Sequence, residues 1–262
     1  MTPPDTVSAD ALPPQQPWVA AGWRRAEQLA RRYRDTDTEA LPVAMIRDEF
    51  PGRIALVSSF GAEGAVLLHL VASIEPATPV IFLDTGKLFG ETRRYRDRLT
   101  TELGLHDVRT IEPDPERIEA FDQDGVLWYG NPDMCCRIRK VEPLQRALEG
   151  LDAWITGRKG FHGGERTRLP RIEVNTDDGR IKLNPLADWR KADLDAHLER
   201  HALPRHPLEA DGFLSIGCMP CTDRVAPGEH ARAGRWRGRE KTECGIHLPI
   251  GRWKIDGIDG VE

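Results

Sequence analysis

Short apolar runs alternate with helical periodicity through most of this chain, and that alternation constrains its fold more than any other feature. RIALVSS reads as a strand, AVLLHLVASI as a helix and PVIFLD as a second strand, and a long charged helix follows from about Leu88 to Leu103. A third strand is expected near DVRTI, a helix from about Cys135 to Leu148, and a further strand at AWITG. Such a β-α-β succession predicts an α/β fold, a parallel twisted sheet with helices on both faces, and a sheet of that kind places ligands at the carboxyl ends of its strands. RIEV and RIKLNPL flank TDDG, a good hairpin turn, and ADLDAHLERH reads as a helix.

The 262 residues allow one large domain with a single core. Residues 1–19, rich in proline and polar side chains, are expected to form a disordered leader, with WRRAEQLARRYRD an amphipathic helix behind it. The α/β domain is expected over 20–205, and 206–262, where Gly, Pro and Arg accumulate, as a loop-rich mobile C-terminal arm. No apolar run approaches the ~20 residues that span a bilayer, and the N-terminus lacks a basic, then apolar, export signal, so a cytoplasmic protein without membrane contact is expected. A net charge of −5 argues against a general nucleic-acid binder, while the local HARAGRWRGR cluster suits a small anion.

Two loops are candidates for holding such an anion. SSFGAEG, with Ser58, Ser59 and Gly61, lies between a strand and a helix, where hydroxyls and unhindered backbone N–H groups can cradle an oxyanion; it lacks the lysine of a Walker loop. LDTG, with Asp84, Thr85 and Gly86, closes the second strand and would reach the same sheet edge. The plainer readings are a Gly-rich packing turn for the first and a helix cap for the second.

Five cysteines in a chain without an export signal point to ligation or catalysis rather than disulfides. Cys135 and Cys136 are adjacent, and Cys218 and Cys221 form a C-x-x-C pair. The second pair is compatible with zinc, a redox disulfide or an iron–sulfur cluster. Neighbouring side chains on a helix diverge by about 100°, so the first pair suits one tetrahedral zinc poorly, yet could bind two irons of a cubane. Arg137, Arg139 and Lys140 follow at once, and Lys140 lies one turn beyond Cys136. Cys244, in ECGIH, stands outside this set and is the candidate nucleophile.

Together the serine-rich loop, LDTG, the CC…CxxC set and ECGIH resemble the iron–sulfur adenylyl-sulfate reductases of the phosphoadenylyl-sulfate reductase family, over roughly residues 40 to 247. The resemblance implies a fold like the adenine nucleotide alpha hydrolases and a [4Fe–4S] cluster, one per chain, on Cys135, Cys136, Cys218 and Cys221. Lys140 would be a cation between cluster and substrate, Cys244 the nucleophile, and His247 a neighbour of the nucleotide. Arg232 and Arg235 match the family's basic segment that contacts phosphate and sulfate, a task suited to planar forked donors. TGRKGFHGGERTRLP resembles its basic loop, with Arg158, Arg166 and Arg168 as candidate oxyanion ligands. Two features depart from the usual pattern: SSFGAEG replaces Ser-Phe-Ser-Gly, which shifts the second serine's role to Ser58 or Ser59, and GFHGGE is unusually Gly-rich.

The implied reaction is reduction of adenylyl sulfate to sulfite and AMP in sulfate assimilation, through S-sulfocysteine at Cys244. Because the cluster takes the other four cysteines, release of sulfite calls for an external dithiol donor, thioredoxin or a glutaredoxin-like protein. Dimers and tetramers occur in the family, which implies a homo-oligomer. The competing expectations are reduction of the 3′-phosphorylated nucleotide, an ATP pyrophosphatase on the same sheet, and a metal or redox sensor without a role for Cys244.

Overall fold

The computed structural model describes residues 17–247 of the chain. Of the leader expected over 1–19, residues 1–16 lie outside the described residues, and the last three already belong to helix α1 (Pro17–Arg32). The elements that follow are α2 (Ala40–Ala44), β1 (Ile54–Val57), α3 (Gly64–Ile74), β2 (Val80–Leu83), α4 (Gly90–Glu102), β3 (Val108–Ile111), α5 (Pro115–Phe121), α6 (Leu127–Gly130), α7 (Pro132–Cys136), α8 (Glu142–Ala147), β4 (Ala153–Thr156), β5 (Ile172–Val174), β6 (Ile181–Leu183) and α9 (Lys191–Arg200).

Six strands form one sheet in the order β3-β2-β1-β4-β6-β5, parallel throughout except for the β5–β6 hairpin. This is the mostly parallel sheet of the adenine nucleotide alpha hydrolase-like fold. The twofold period of a strand divides its side chains between two cores. Ile54 and Leu56 of β1, Val80 and Phe82 of β2 and Ile155 of β4 pack beneath α1 to α4 and α9. Ala55, Ile81 and Trp154 face the other way, onto Leu144 of α8 and Leu148. Each fully buried Leu or Ile contributes about 1.5–3 kcal/mol. Helix α3 has buried side chains all round, Ala65 to Leu68 and then Leu70 and Val71, which is why so apolar a run forms a covered helix and not an amphipathic one.

The chain winds outward from β1 through β2 to β3, then crosses back to place β4 on the other side of β1. That reversal splays the loops after β1 and β4 and opens a crevice at the carboxyl edge. The helix expected from Cys135 to Leu148 is three pieces: α7 begins at Pro132, capped by the Asn131 side chain, a π turn occupies Arg137–Val141, and α8 follows. Pro143 withholds an N–H from this stretch, and the ladder widens just before it. Beyond α9 the described residues hold two short 3₁₀ turns, at Pro207–Glu209 and Met219–Cys221, and isolated β-bridges at Cys218 and between Thr222 and Arg235, so the segment from 206 is loop-rich as its composition suggests. Residues 248–262 of that segment lie outside the described residues. No helix among the described residues is long and apolar enough to cross a membrane.

Candidate active site

A cleft of about 210 Å³ opens at the carboxyl ends of β1 and β4, and ten of the residues singled out from the sequence line it: Ser58, Ser59, Gly61, Lys140, Arg158, Arg166, Arg232, Arg235, Cys244 and His247. The first three come from the β1–α3 loop. There Phe60 holds a left-handed backbone (φ 48°), fixed by its full burial edge-on to Phe82 at 5.4 Å. Its N–H donates to Ser58 Oγ (3.2 Å). A Cβ at Gly61 would lie 3.3 Å from the Ile216 carbonyl, a tight contact that glycine avoids.

Asp84, Thr85 and Gly86 do not join this lining. The Asp84 carboxylate accepts from the Gly86 N–H (3.0 Å) and is clamped by both arms of Arg93 (2.8 and 2.9 Å). Although burial opposes it, these bonds hold Asp84 below the usual carboxylate range. Thr85 turns instead to the cysteines, with Oγ1 3.2 Å from Cys218 Sγ and its carbonyl accepting from Arg139 Nη1 (2.7 Å). The buried Arg139 is itself paired with Asp122. Leu88 bridges to Cys218, and the Lys87 carbonyl accepts from the Met219 N–H (2.8 Å). The β2 loop therefore braces the second cysteine pair.

Cys135, Cys136, Cys218 and Cys221 line one small cavity beside the cleft, and Lys140 and Trp236 border both spaces. Burial pushes the Cys135 thiol up to about 11 and the Cys136 thiol up to about 12. Cys218 is also buried, yet Lys140, the Thr85 hydroxyl and Arg235 outweigh the desolvation and lower its pKa. Burial would deprotonate Lys140, but the charges of Cys218, Cys244 and Cys136 more than reverse this and raise it. Four soft donors converging on one cavity, with lysine and arginine as the charged neighbours and no competing carboxylate in its lining, fit a thiolate-bound metal centre.

The C-terminal segment closes the cleft. Arg235 lies over the Trp236 ring (4.4 Å) and donates to the Cys221 carbonyl (3.2 Å); a Cβ at Gly217 would fall 2.4 Å from its guanidinium, so glycine there lets the guanidinium lie against the backbone. Arg232 donates to the Thr242 carbonyl (2.6 Å), and burial beside Arg166 lowers it to about 10. Cys244, half-buried, follows Glu243. His247 stacks flat on Trp154 (5.7 Å, 3°), and burial among Arg158, Lys182 and Arg166 depresses its pKa strongly, so the ring is neutral. Of the basic loop, Arg158 and Arg166 reach the cleft, Arg158 also pairing with Glu173 (2.7 Å), whereas Arg168 is exposed.

Three features of the cleft escape a reading of motifs. Glu243 accepts two bonds from Arg166 (2.6 and 2.8 Å) and lies 3.5 Å from Arg232, so it ties the segment bearing Cys244 to the basic loop. Glu63, at the start of α3, is buried against Lys159 (2.8 Å) and His162 (3.5 Å). Burial raises its pKa, but Lys159 and His162 overcome that and bring it down to about 2. Trp154 is the third; its alternation within β4 predicts burial, though not the stack with His247. The position of Glu243 beside Cys244 is the one sequence signal for its role.

Residues 53–224 match the phosphoadenosine phosphosulfate reductase domain. The chain is 50% identical over 227 residues, 86% of its length and 91% of the relative's, to a Chelativorans sp. protein named adenosine 5′-phosphosulfate reductase. It is 37% identical over 240 residues, covering 88% of itself and 97% of the relative, to a Gloeobacter violaceus protein named phosphoadenosine 5′-phosphosulfate reductase. Among solved structures, phosphoadenylyl-sulfate reductase from Candida auris in its phosphate complex superposes with a TM-score of 0.64 at 26% identity, over 77% of this chain and 97% of that one. A Candida glabrata FMN adenylyltransferase shares the fold alone (TM-score 0.51, 16% identity, 86% of this chain and 84% of that one).

Proposed function

The chain belongs to the phosphoadenosine phosphosulfate reductase family, and from that premise we propose that its cleft reduces adenosine 5′-phosphosulfate to sulfite and AMP. The observation that carries this reading is the meeting of Cys244 with Lys140, Arg232, Arg235 and the Ser58–Gly61 loop in one cleft, beside a separate cavity of four cysteines.

The sulfur of the substrate is electrophilic but screened by anionic oxygens, so a thiolate approaches it only where cations offset the repulsion. Lys140, Arg232 and Arg235 supply three, and the Ser58–Gly61 loop receives phosphate at the start of α3. The flat Trp154–His247 stack offers an apolar, uncharged surface to the nucleotide. Cys244 Sγ attacks sulfur: the S–S bond forms, the S–O bond to phosphate breaks, and AMP leaves with the electron pair. A dithiol protein of the thioredoxin kind then attacks Cys244 Sγ and expels sulfite, and its second thiol resolves the mixed disulfide, restoring Cys244 and leaving the donor oxidised. Such a donor operates in a reducing compartment, in keeping with a cytoplasmic enzyme.

Cys135, Cys136, Cys218 and Cys221 would hold a [4Fe–4S] cluster, one per chain, which when bound supplies structural closure and an electrostatic field beside Lys140. The segment from residue 206 serves as an arm that closes over nucleotide through Glu243–Arg166 and opens to the donor. The test is kcat/KM for adenylyl sulfate and its 3′-phosphorylated analogue with reduced thioredoxin. A preference for the unphosphorylated nucleotide is expected; the reverse preference would move the assignment to the other substrate of the family.

A further inference from the structure

Three imidazoles from two packed helices meet outside the cleft and the cysteine cavity: His69 on α3, and His197 with His201 at the end of α9. His197 and His201 are four residues apart and so share one helical face. One ring nitrogen from each of the three residues lies within 4.8 Å of the other two, and His69 Nδ1 is 3.1 Å from His197 Nε2. Ligands at zinc–nitrogen distances of about 2.0–2.1 Å stand about 3.3 Å apart in a tetrahedron, so this pair is already at ligand spacing. His201 is exposed at the helix end and free to close the remainder.

His197 carries the second observation. It is 2% exposed, and its other nitrogen, Nδ1, is buried with no hydrogen-bond partner among the described residues; Glu39 Oε1 stands 3.9 Å from it. A metal on Nε2 would fix Nδ1 as the protonated nitrogen and direct it to that carboxylate, the relay by which metal-bound histidines are oriented. A His69–His197 hydrogen bond and ring contacts that run from tilted to edge-on, with centroids at 4.3–5.1 Å, account for the packing of neutral imidazoles but leave His197 Nδ1 without a partner among the described residues.

We propose that His69, His197 and His201 form a divalent transition-metal site of the zinc type, with Glu39 orienting His197 and water completing the shell. The cation would cross-link α3, whose first turn follows the Ser58–Gly61 loop, to α9. The site is independent of the reductase chemistry.

The test adds zinc(II) to anaerobic holoenzyme carrying Cys244→Ser, so that the four remaining cysteines are those assigned to iron, and reads zinc per chain together with the zinc K-edge absorption spectrum. Expected are one zinc per chain, a nitrogen or oxygen shell at about 2.0 Å with imidazole scattering, and no sulfur at about 2.3 Å. His201→Asn, exposed and outside the cleft, should lower zinc affinity at least about tenfold while leaving iron content and, with Cys244 in place, reductase activity unchanged, and His69→Gln should do likewise. A sulfur shell, unaltered affinity in His201→Asn, or no zinc retained at micromolar concentrations would each overturn the proposal.

Discussion

Replacing Glu243 by glutamine isolates the contact that holds the nucleophile's segment in place. The Glu243 carboxylate is buried between Arg166, with which it forms two bonds, and Arg232 at 3.5 Å. Removing one partner of a buried ion pair costs about 3–5 kcal/mol, because the other charge is left uncompensated. Glutamine keeps one acceptor but no charge, so about 2–3 kcal/mol is a reasonable share of that cost. At about 1.4 kcal/mol per decade, this corresponds to a loss of about 30- to 150-fold in the population with Cys244 seated among its cations. The assay is a rapid-quench single turnover with adenylyl sulfate and no thiol donor, which follows protein-bound sulfur directly and bypasses reductant docking. The same substitution should speed proteolysis of the arm between Arg232 and Lys241 by a comparable factor. Formation of the bound species at the wild-type rate would refute the view that Glu243 seats the arm.

The remaining predictions concern charge and metal. Glu63 falls from its ordinary 4.5 to about 2 in the folded protein, so its contribution is present above pH 4.5 and is lost as pH falls towards 2; over that window it amounts to about 3 kcal/mol. Urea unfolding of Glu63→Gln should therefore show a flatter acid limb than wild type, and identical limbs would contradict the Lys159 pairing. Lys140→Met should slow the single turnover by about 10²–10³-fold, since it removes a cation from both cleft and cysteine cavity, and its iron content should be measured alongside. Cys218→Ser should abolish iron binding and weaken the junction between the LDTG loop and the C-terminal segment; full iron retention would contradict a four-cysteine centre.

Much of the fold was legible because it follows from local periodicity. Ile54 and Leu56 against Ala55 in β1, the uniformly apolar α3 and the TDDG turn between β5 and β6 all declare themselves within a few residues. The π turn at Arg137–Val141 was hidden, because a proline near the start of a helix more often reads as a beginning than as a widening of the turn before it. LDTG was expected to share the nucleotide's edge, and its backbone does end β2 there. Arg93 and Arg139, reaching in from α4 and the π turn, commit its side chains and carbonyl to the cysteine side, and neither partner can be inferred from the loop itself. The cysteines were legible as a set because thiols in pairs have few other uses, whereas Glu63–Lys159–His162, Glu243–Arg166 and the three imidazoles depend on helices and loops meeting across the fold.

The central claim is covalent catalysis by Cys244, and its most direct test incubates the anaerobic holoenzyme with sulfur-35-labelled adenylyl sulfate in the absence of thiol, then denatures the protein and maps the bound label. The account predicts label on Cys244, released as sulfite by reduced thioredoxin and absent in Cys244→Ser with iron content intact. No bound label on an iron-replete enzyme, or label that persists in Cys244→Ser, would contradict it.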